Sequence, residues 1–334
     1  MTDCVSPFFR QYLEAQVGAR LMNRWSYILV RVLQVIPTFF VVMALVFIMV
    51  RLLPGDPTSA ILGERATEEL IARANKELGL DKPLIVQFVI FVQNFFRGDL
   101  GESINLKIPV FRLILERMPV TLFLTIYSSV LAVLLAVPLS FVAALRRDTA
   151  VDSAIRGLFQ IGLSMPVFYI GLQLLTILGA RFRLFPIGGY GETFLEHLWY
   201  LFLPALTLGF NLAAILMRNL RAAILEVLQS EYVDFARAKG LRSSVILGKH
   251  VLRNAIISTV TLFGLNIGGL IGGAVITESV FSIPGVGRLM VESIFGRDYP
   301  VIQGLTLTFA VLVSLTFILT DIVHAQLDPR VEIS

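Results

Sequence analysis

The chain has 334 residues, 56% hydrophobic and only 16% charged, with a formal net charge of +4 and a mean hydropathy of +0.79. Globular chains carry about 25% charged residues, so a soluble fold of this length could not cover itself with polar surface, and the composition points to an integral membrane protein. The single cysteine, Cys4, excludes an intramolecular disulfide and a cysteine-built metal site. Three scattered histidines (His197, His250, His324) offer no metal centre, and no basic patch with interleaved aromatics suggests a nucleic-acid partner.

Residues 1–31 are mixed and contain Arg10, Arg20, Arg24 and Arg31. The apolar run that follows is too long for a signal peptide, and no small-residue cleavage site closes it. Met22-Asn-Arg-Trp reads as a lead-in to a first membrane helix, which leaves residues 1–21 as either a cytosolic extension or a stretch upstream of the true start. Charge-free runs then recur at 32–50, 118–145, 157–180, 198–217, 254–277 and 299–320. A helix needs about 20 apolar residues to cross the hydrocarbon core, so the expected fold is all-α with six transmembrane helices. The short alternating segments of a barrel are absent. Pro37, Pro138, Pro166 and Pro204 fall in or near these runs, where kinks are expected.

Lys and Arg set the orientation. With the N-terminus inside, segments 1–31, 146–156, 218–253 and 321–334 hold fifteen basic residues, against four in the short outer loops 181–197 and 278–298. The 67-residue loop 51–117 is left out of the count because loops that long translocate largely regardless of charge. Both termini are therefore expected in the cytosol. The chain divides into a cytosolic lead-in (1–31), a first helix with its long outer loop (32–117), and a five-helix core (118–330) carrying a cytosolic loop at 218–253. Within the outer loop, Leu53-Pro-Gly-Asp-Pro57 is a turn, and Thr67 caps a helix that Gly79 stops. Residues 84–96 are too short to span, and either lie along the outer interface or pack on the bundle, with a re-entrant segment as the lesser alternative.

In the fifth run Gly264, Gly268 and Gly272 recur every four residues, with Gly269 and Gly273 as a second pair; such spacing lets backbones approach closely. Packing within the chain and a seam with a second subunit are both open. Glu278, followed by Ser279, lies just past this run, as an intramembrane functional group or as a wet carboxylate at the helix end. Asn211 and Asn266 sit at depth, where helix-to-helix hydrogen bonding competes with a place on a substrate pathway. No GxxxxGK[ST] loop, GxSxG elbow or HExxH pair occurs, and no carboxylates pair on a membrane face, so catalysis and ATP binding are not expected of this chain.

The loop 218–253 holds seven Lys or Arg and three acids, yet it is patterned. Leu225, Leu228, Tyr232, Phe235 and Ala236 fall on one helical face. Arg237 and Lys239 suit a helix C-terminus, Gly240 is a left-handed stop onto which Leu241 can pack back, and Ser243 or Ser244 can cap a second helix. The pattern describes helix, glycine break, helix. An amphipathic loop lying on headgroups fits it as well, and a DNA-reading helix-turn-helix fits poorly, because both ends are tied to membrane helices.

This segment resembles the EAA loop of binding-protein-dependent ABC importer permeases. Aligned on Gly240, Asp234 takes the Glu place, Phe235 and Ala236 the alanines, and Leu252 the Leu, while His250 and Arg253 depart from the pattern. The departures are similar to those of the peptide/nickel permeases: Ala236-Arg-Ala-Lys-Gly-Leu241 and His250-Val-Leu-Arg-Asn-Ala255. Further matches are residues 31–37, Leu53-Pro-Gly-Asp-Pro57, Leu78-Gly-Leu-Asp-Lys-Pro83, Arg97-Gly-Asp-Leu-Gly101, Glu278 with Pro284-Gly-Val-Gly-Arg288, Arg297-Asp-Tyr-Pro300 and Leu327-Asp-Pro-Arg330, in order over residues 22–330. The resemblance implies a type I importer permease of the bacterial cytoplasmic (inner) membrane. Its partners would be a homologous permease, two cytosolic ATPases carrying ATP and Mg, an extracytoplasmic solute-binding protein and membrane lipid. Tyr232, Asp234, Phe235, Ala236, Arg237, Lys239, Gly240 and Leu241 would seat in an ATPase cleft, and Asn211, Asn266, Glu278 and Ser279 are the candidates for the substrate pathway. Di- or oligopeptides are the expected cargo, with glutathione, nickel chelates and related solutes as alternatives, and an ATPase-independent secondary transporter as the competing class.

Overall fold

A computed structural model describes residues 33–49 and 82–327. The readings at residues 1–31, at Leu53-Pro-Gly-Asp-Pro57, at the Thr67 helix and at Asp328-Pro-Arg330 lie outside the described residues. Apolar length dictates most of the rest. Helix α1 (Leu33–Met49) is followed by α2 (Leu84–Phe96), α3 (Val110–Leu145) and α4 (Ala150–Ser164). Next come α5 (Val167–Leu174), extended by a π-helical stretch to Arg181, α6 (Phe194–Tyr200), α7 (Phe202–Leu228) and α8 (Glu231–Ala238). The chain continues through α9 (Ser243–Val280), α10 (Val286–Phe295) and α11 (Tyr299–Leu327).

Among the described residues, four helices are long and apolar enough to cross a membrane: α3, α7, α9 and α11. The third apolar run is not one rod. Met165 is extended (ψ 140°) ahead of Pro166, and α4 and α5 meet there at 110°, so this pair is a broken span or a re-entrant loop. The residue before a proline is pushed out of the helical region. Pro119 and Pro138, by contrast, sit inside a continuous 36-residue α3. The described part of the first run, α1, is a shorter apolar helix. The expected six spans thus stand as four full-length helices, one bent pair and α1.

The bundle is centred on α7. Its Leu203, Leu208, Leu212, Leu216 and Leu220 are buried, and it packs on α3, α4, α5 and α9. Its approach to α3 is close: a Cβ at Gly209 would stand 2.7 Å from the Ser128 carbonyl. Hydroxyls buried in α3 donate to their own helix, as Thr125 does to the Thr121 carbonyl (2.8 Å) and Ser128 to that of Leu124 (2.7 Å), which removes the cost of an unpaired polar group in hydrocarbon. Helix α2 packs on the bundle through α1 and Leu307, with edge and tilted ring contacts Phe47–Phe88, Phe47–Phe91 and Phe39–Phe95. The glycine pattern of α9 splits. Gly264 lies against Thr320 and Gly268 against Val313 and Thr316 of α11, and Gly273 faces Leu208, whereas no atom would meet a Cβ at Gly269 or Gly272.

Two knots hold the loop ends opposite α8. Asp298, almost fully buried, accepts from the Ser103 hydroxyl (2.5 Å) and from the Ile104 and Asn105 N–H groups (3.1 and 3.2 Å), tying the turn before α3 to the α10–α11 corner. Before α7, Thr193 and Glu196 form a capping box, and the Glu192 and Thr193 N–H groups aimed at the Glu196 carboxylate hold it below its ordinary pKa.

Candidate functional site

Helix α7 runs without a break from its apolar stretch into charged sequence as far as Leu228, so the first third of the 218–253 loop is membrane helix prolonged. The chain turns at Gln229 and Ser230, whose N–H groups bond to Glu226 and Val227 carbonyls (both 3.1 Å), and α8 starts. Two residues on one side of α8, Val233 and Ala236, are buried against Ala144 of α3, Leu220 and Ile224 of α7, and Ile246, Val251 and Ala255 of α9.

Here the expected apolar face needs correction. Phe235 points away from the bundle with 70% of its surface exposed, Tyr232 is partly exposed with its hydroxyl turned to α9, and Val233 takes the buried place. The turn at Gln229 resets the helical phase, so Leu225 and Leu228 of α7 pack on the same cluster as Val233 and Ala236 and do not share a face with Phe235. The second helix is also not capped by a serine: Arg242 is its N-cap residue and Ser243 its first helical one.

The end of α8 is a glycine-terminated Schellman turn. Gly240 has φ +74°, its N–H donates to the Arg237 carbonyl (2.9 Å), and the Leu241 N–H donates to that of Ala236 (3.3 Å). No atom would meet a Cβ at Gly240, so glycine is required there by backbone conformation and not by crowding. A second tie runs to α9: the Asn254 amide donates to the Tyr232 phenol oxygen (2.9 Å) and to the His250 carbonyl (2.9 Å). The outer surface of α8 carries Phe235, the exposed pair Asp234–Arg237 (3.1 Å) and, beyond, Lys239 and Leu241. The result is a short helix anchored to α3, α7 and α9 on one side and free on the other, with charge, an aromatic ring and a fixed end.

The candidate pathway residues are not gathered into one cluster. Asn211 donates to the Gly162 carbonyl of α4 (3.1 Å), a helix-to-helix bond. Asn266 and Ser279 instead bond to carbonyls of their own helix, Leu262 (2.7 Å) and Val275 (2.9 Å). Glu278 is 0% exposed, so it is not a wet carboxylate at a helix end. It accepts from the Thr121 hydroxyl (2.6 Å) and from the Arg288 N–H (3.0 Å), while Thr121 accepts from the Val286 N–H (3.0 Å). Glutamate and threonine together cap the N-terminus of α10, where unpaired N–H groups collect. Gly285 and Gly287 lie against the Glu278 carboxylate, which leaves no room for a side chain at either position. The Pro284-Gly-Val-Gly-Arg288 motif is therefore a lock between α3, α9 and α10.

Asp152, like Asp298, is a buried carboxylate that the sequence did not reveal. Asp152 is 0% exposed in the first turn of α4 and accepts two bonds from Arg221 of α7 (2.8 and 2.7 Å) and one from the Asp148 N–H (3.1 Å), with Arg156 at 3.3 Å. Its only local sign was an acid after Thr149, a helix-start pattern, and its partner lies 69 residues away. Among the described residues, no group of three or more His, Cys, Asp or Glu could hold a metal ion.

These features define a polytopic helical membrane protein with a short helix, α8, held at one end of its bundle. Residues 136–333 match the family model described as binding-protein-dependent transport system inner membrane component, and residues 24–125 match that of its N-terminal region. The chain is 41% identical over 306 residues to the glutathione transport system permease protein GsiC of Pectobacterium atrosepticum, covering 92% of this chain and 98% of that protein. It is 37% identical over 308 residues to a probable peptide ABC transporter permease of Sinorhizobium fredii, covering 91% and 98%. Inward-facing structures of the MetNI methionine ABC transporter share the fold, with a TM-score of 0.54 at 16% identity over 65% of this chain and 96% of that one. The chain belongs to the binding-protein-dependent transport system inner membrane component family, within the ABC importer permeases of the peptide and glutathione type. It is a multi-pass protein of the cytoplasmic membrane and a transport subunit.

Proposed function

We propose that this permease moves di- or oligopeptides, or glutathione as its similar relatives are named for, across the cytoplasmic membrane by alternating access, and that α8 is where an ATPase drives it. Substrate arrives from an extracytoplasmic binding protein. A homologous permease completes the membrane unit, and two cytosolic ATPases supply the power with their own ATP and Mg. The observation that carries the reading is the build of α8. Its buried Val233 and Ala236 connect it to three membrane helices, so force on its exposed side reaches α3, α7 and α9 together. Tyr232, Asp234, Phe235, Arg237, Lys239 and Leu241 form the contact surface, Ala236 the anchor, and Gly240 the fixed end. Residues 218–253 act as the coupling unit of the 118–330 core.

Substitution at Gly240 tests this. A β-branched residue resists φ +74° by about 1–2 kcal/mol, and with no neighbour within contact distance the perturbation is confined to the backbone. Gly240→Val is expected to leave membrane insertion and ATPase activity intact while uptake falls, and Gly240→Asn, which tolerates the left-handed conformation, retains uptake. Normal uptake by the valine variant in the assembled importer would overturn the assignment.

A further inference from the structure

A second site lies on the opposite face of α7 from its contact with α9, where α4 and α7 enclose a groove of about 540 Å³. Its walls change character along its length. At the end nearer the α3–α4 turn it carries Arg156 of α4 and Arg218 and Arg221 of α7; at the other it is lined mainly by Phe159, Leu163, Ala214 and Met217, with the exposed Gln160 beside them. Arg221 is committed to Asp152, and Arg156 reaches the same carboxylate from a half-exposed position. Arg218 makes no ion pair or hydrogen bond with the described residues and is exposed. Two guanidinium groups thus share one carboxylate and a third, Arg218, lines the same mouth without an ion pair among the described residues, so the mouth of the groove keeps a surplus of positive charge. Between the two ends the wall is Gly157, where a Cβ would meet nothing within 4 Å, so the groove stays open where head and tail regions join.

We propose that this groove binds an anionic phospholipid of the cytosolic leaflet, phosphate at Arg218 and Arg156, acyl chain along Phe159, Leu163 and Met217. The inference rests on the orientation given by loop charge, which puts the start of α4 and the charged end of α7 at the cytosolic surface. Two features select the ligand. Arginine forks fit phosphate oxygens, which accounts for the mouth, and the apolar floor runs from that mouth toward the bilayer interior, which matches a headgroup with a chain below it. A soluble phosphate would use the first and leave the second without purpose. The site is independent of the α8 surface and does not require the importer to carry any particular cargo.

The test uses the assembled importer, purified in mild detergent and reconstituted into nanodiscs of phosphatidylcholine alone or mixed with phosphatidylglycerol. Lipid retained by the permease is counted by native mass spectrometry. The wild-type chain is expected to retain phosphatidylglycerol in preference to phosphatidylcholine. Arg218→Gln should cut that preference roughly fivefold, the worth of one basic residue at an anionic surface, whereas Arg218→Lys retains most of it. Gly157→Leu, which fills open space, should abolish retention without unfolding the chain. Equal retention of the two lipids, or an unchanged preference in both Arg218→Gln and Gly157→Leu, overturns the proposal. So does displacement of the lipid by millimolar inorganic phosphate, which would make the ligand a soluble anion. Loss of the partner permease from the complex on Gly157→Leu would make the groove a protein interface and overturn it as well.

Discussion

Thr121→Val tests the lock that joins α3, α9 and α10. Valine has the shape of threonine without its hydroxyl, and Thr121 is 1% exposed, so packing is retained while hydrogen bonding is lost. The hydroxyl serves two partners: it donates to Glu278 Oε1 at 2.6 Å and accepts from the Val286 N–H at 3.0 Å. Its removal strands one buried carboxylate oxygen and one buried backbone donor, each costing about 1–3 kcal/mol. The Arg288 N–H still holds the other carboxylate oxygen, so part of the knot survives, and the expected loss is about 2–4 kcal/mol. The assay is reversible SDS or thermal unfolding of the purified permease complex, with Thr121→Ser as the control that keeps the hydroxyl and loses about 1 kcal/mol or less for one buried methyl group. Equal stability of the valine and serine variants would refute the reasoning.

Asp152→Asn removes the charge that Arg221 and Arg156 share. A buried pair broken at one partner costs about 3–5 kcal/mol, but Arg156 is half exposed and the Arg221 side chain 16% exposed, so about 2–3 kcal/mol is expected; a loss below about 0.5 kcal/mol in the same unfolding assay would contradict the bridge. Two glycines of α9 are expected to respond differently. Gly264→Val forces its side chain into Thr320 and should destabilise the chain, whereas Gly272→Val meets open space in this chain and should leave its stability unchanged. Loss of the partner permease from copurified Gly272→Val would place that residue at the seam between subunits, and a stable Gly264→Val chain would contradict the packing described.

Much of this architecture was legible because the bilayer imposes a length rule and the left-handed region a residue rule. Apolar runs near 20 residues became helices, and Gly240 became a stop, each for a reason local to the chain. The errors came where the deciding contact is remote. Proline is equally visible at positions 119, 138 and 166, yet only Pro166 breaks its run, since Met165 before it turns extended. Phe235 looked like core because the stripe was carried across Gln229, a turn that restarts the helical phase; Val233 was the buried residue. Asp152 showed only as an acid at a helix start and Asp298 only within the Arg297-Asp-Tyr-Pro300 match; neither pattern reveals the burial, because their partners lie 69 and about 195 residues away in sequence. Glu278 was legible as either an intramembrane group or a wet carboxylate at a helix end; that Thr121 and the α10 N-terminus enclose it depends on an approach of α3 to α9 that no local pattern encodes.

The central claim is that the free side of α8 meets an ATPase. Cys4 is the only cysteine of the chain, so Cys4→Ser with Phe235→Cys places one thiol on that side, and Ile187→Cys, exposed in the loop between α5 and α6, serves as the control. In the assembled importer, a short thiol-reactive crosslinker is expected to join Cys at position 235 to the ATPase subunit in high yield and to leave the control unlinked. Absence of that crosslink in a complex that still takes up substrate would contradict the account.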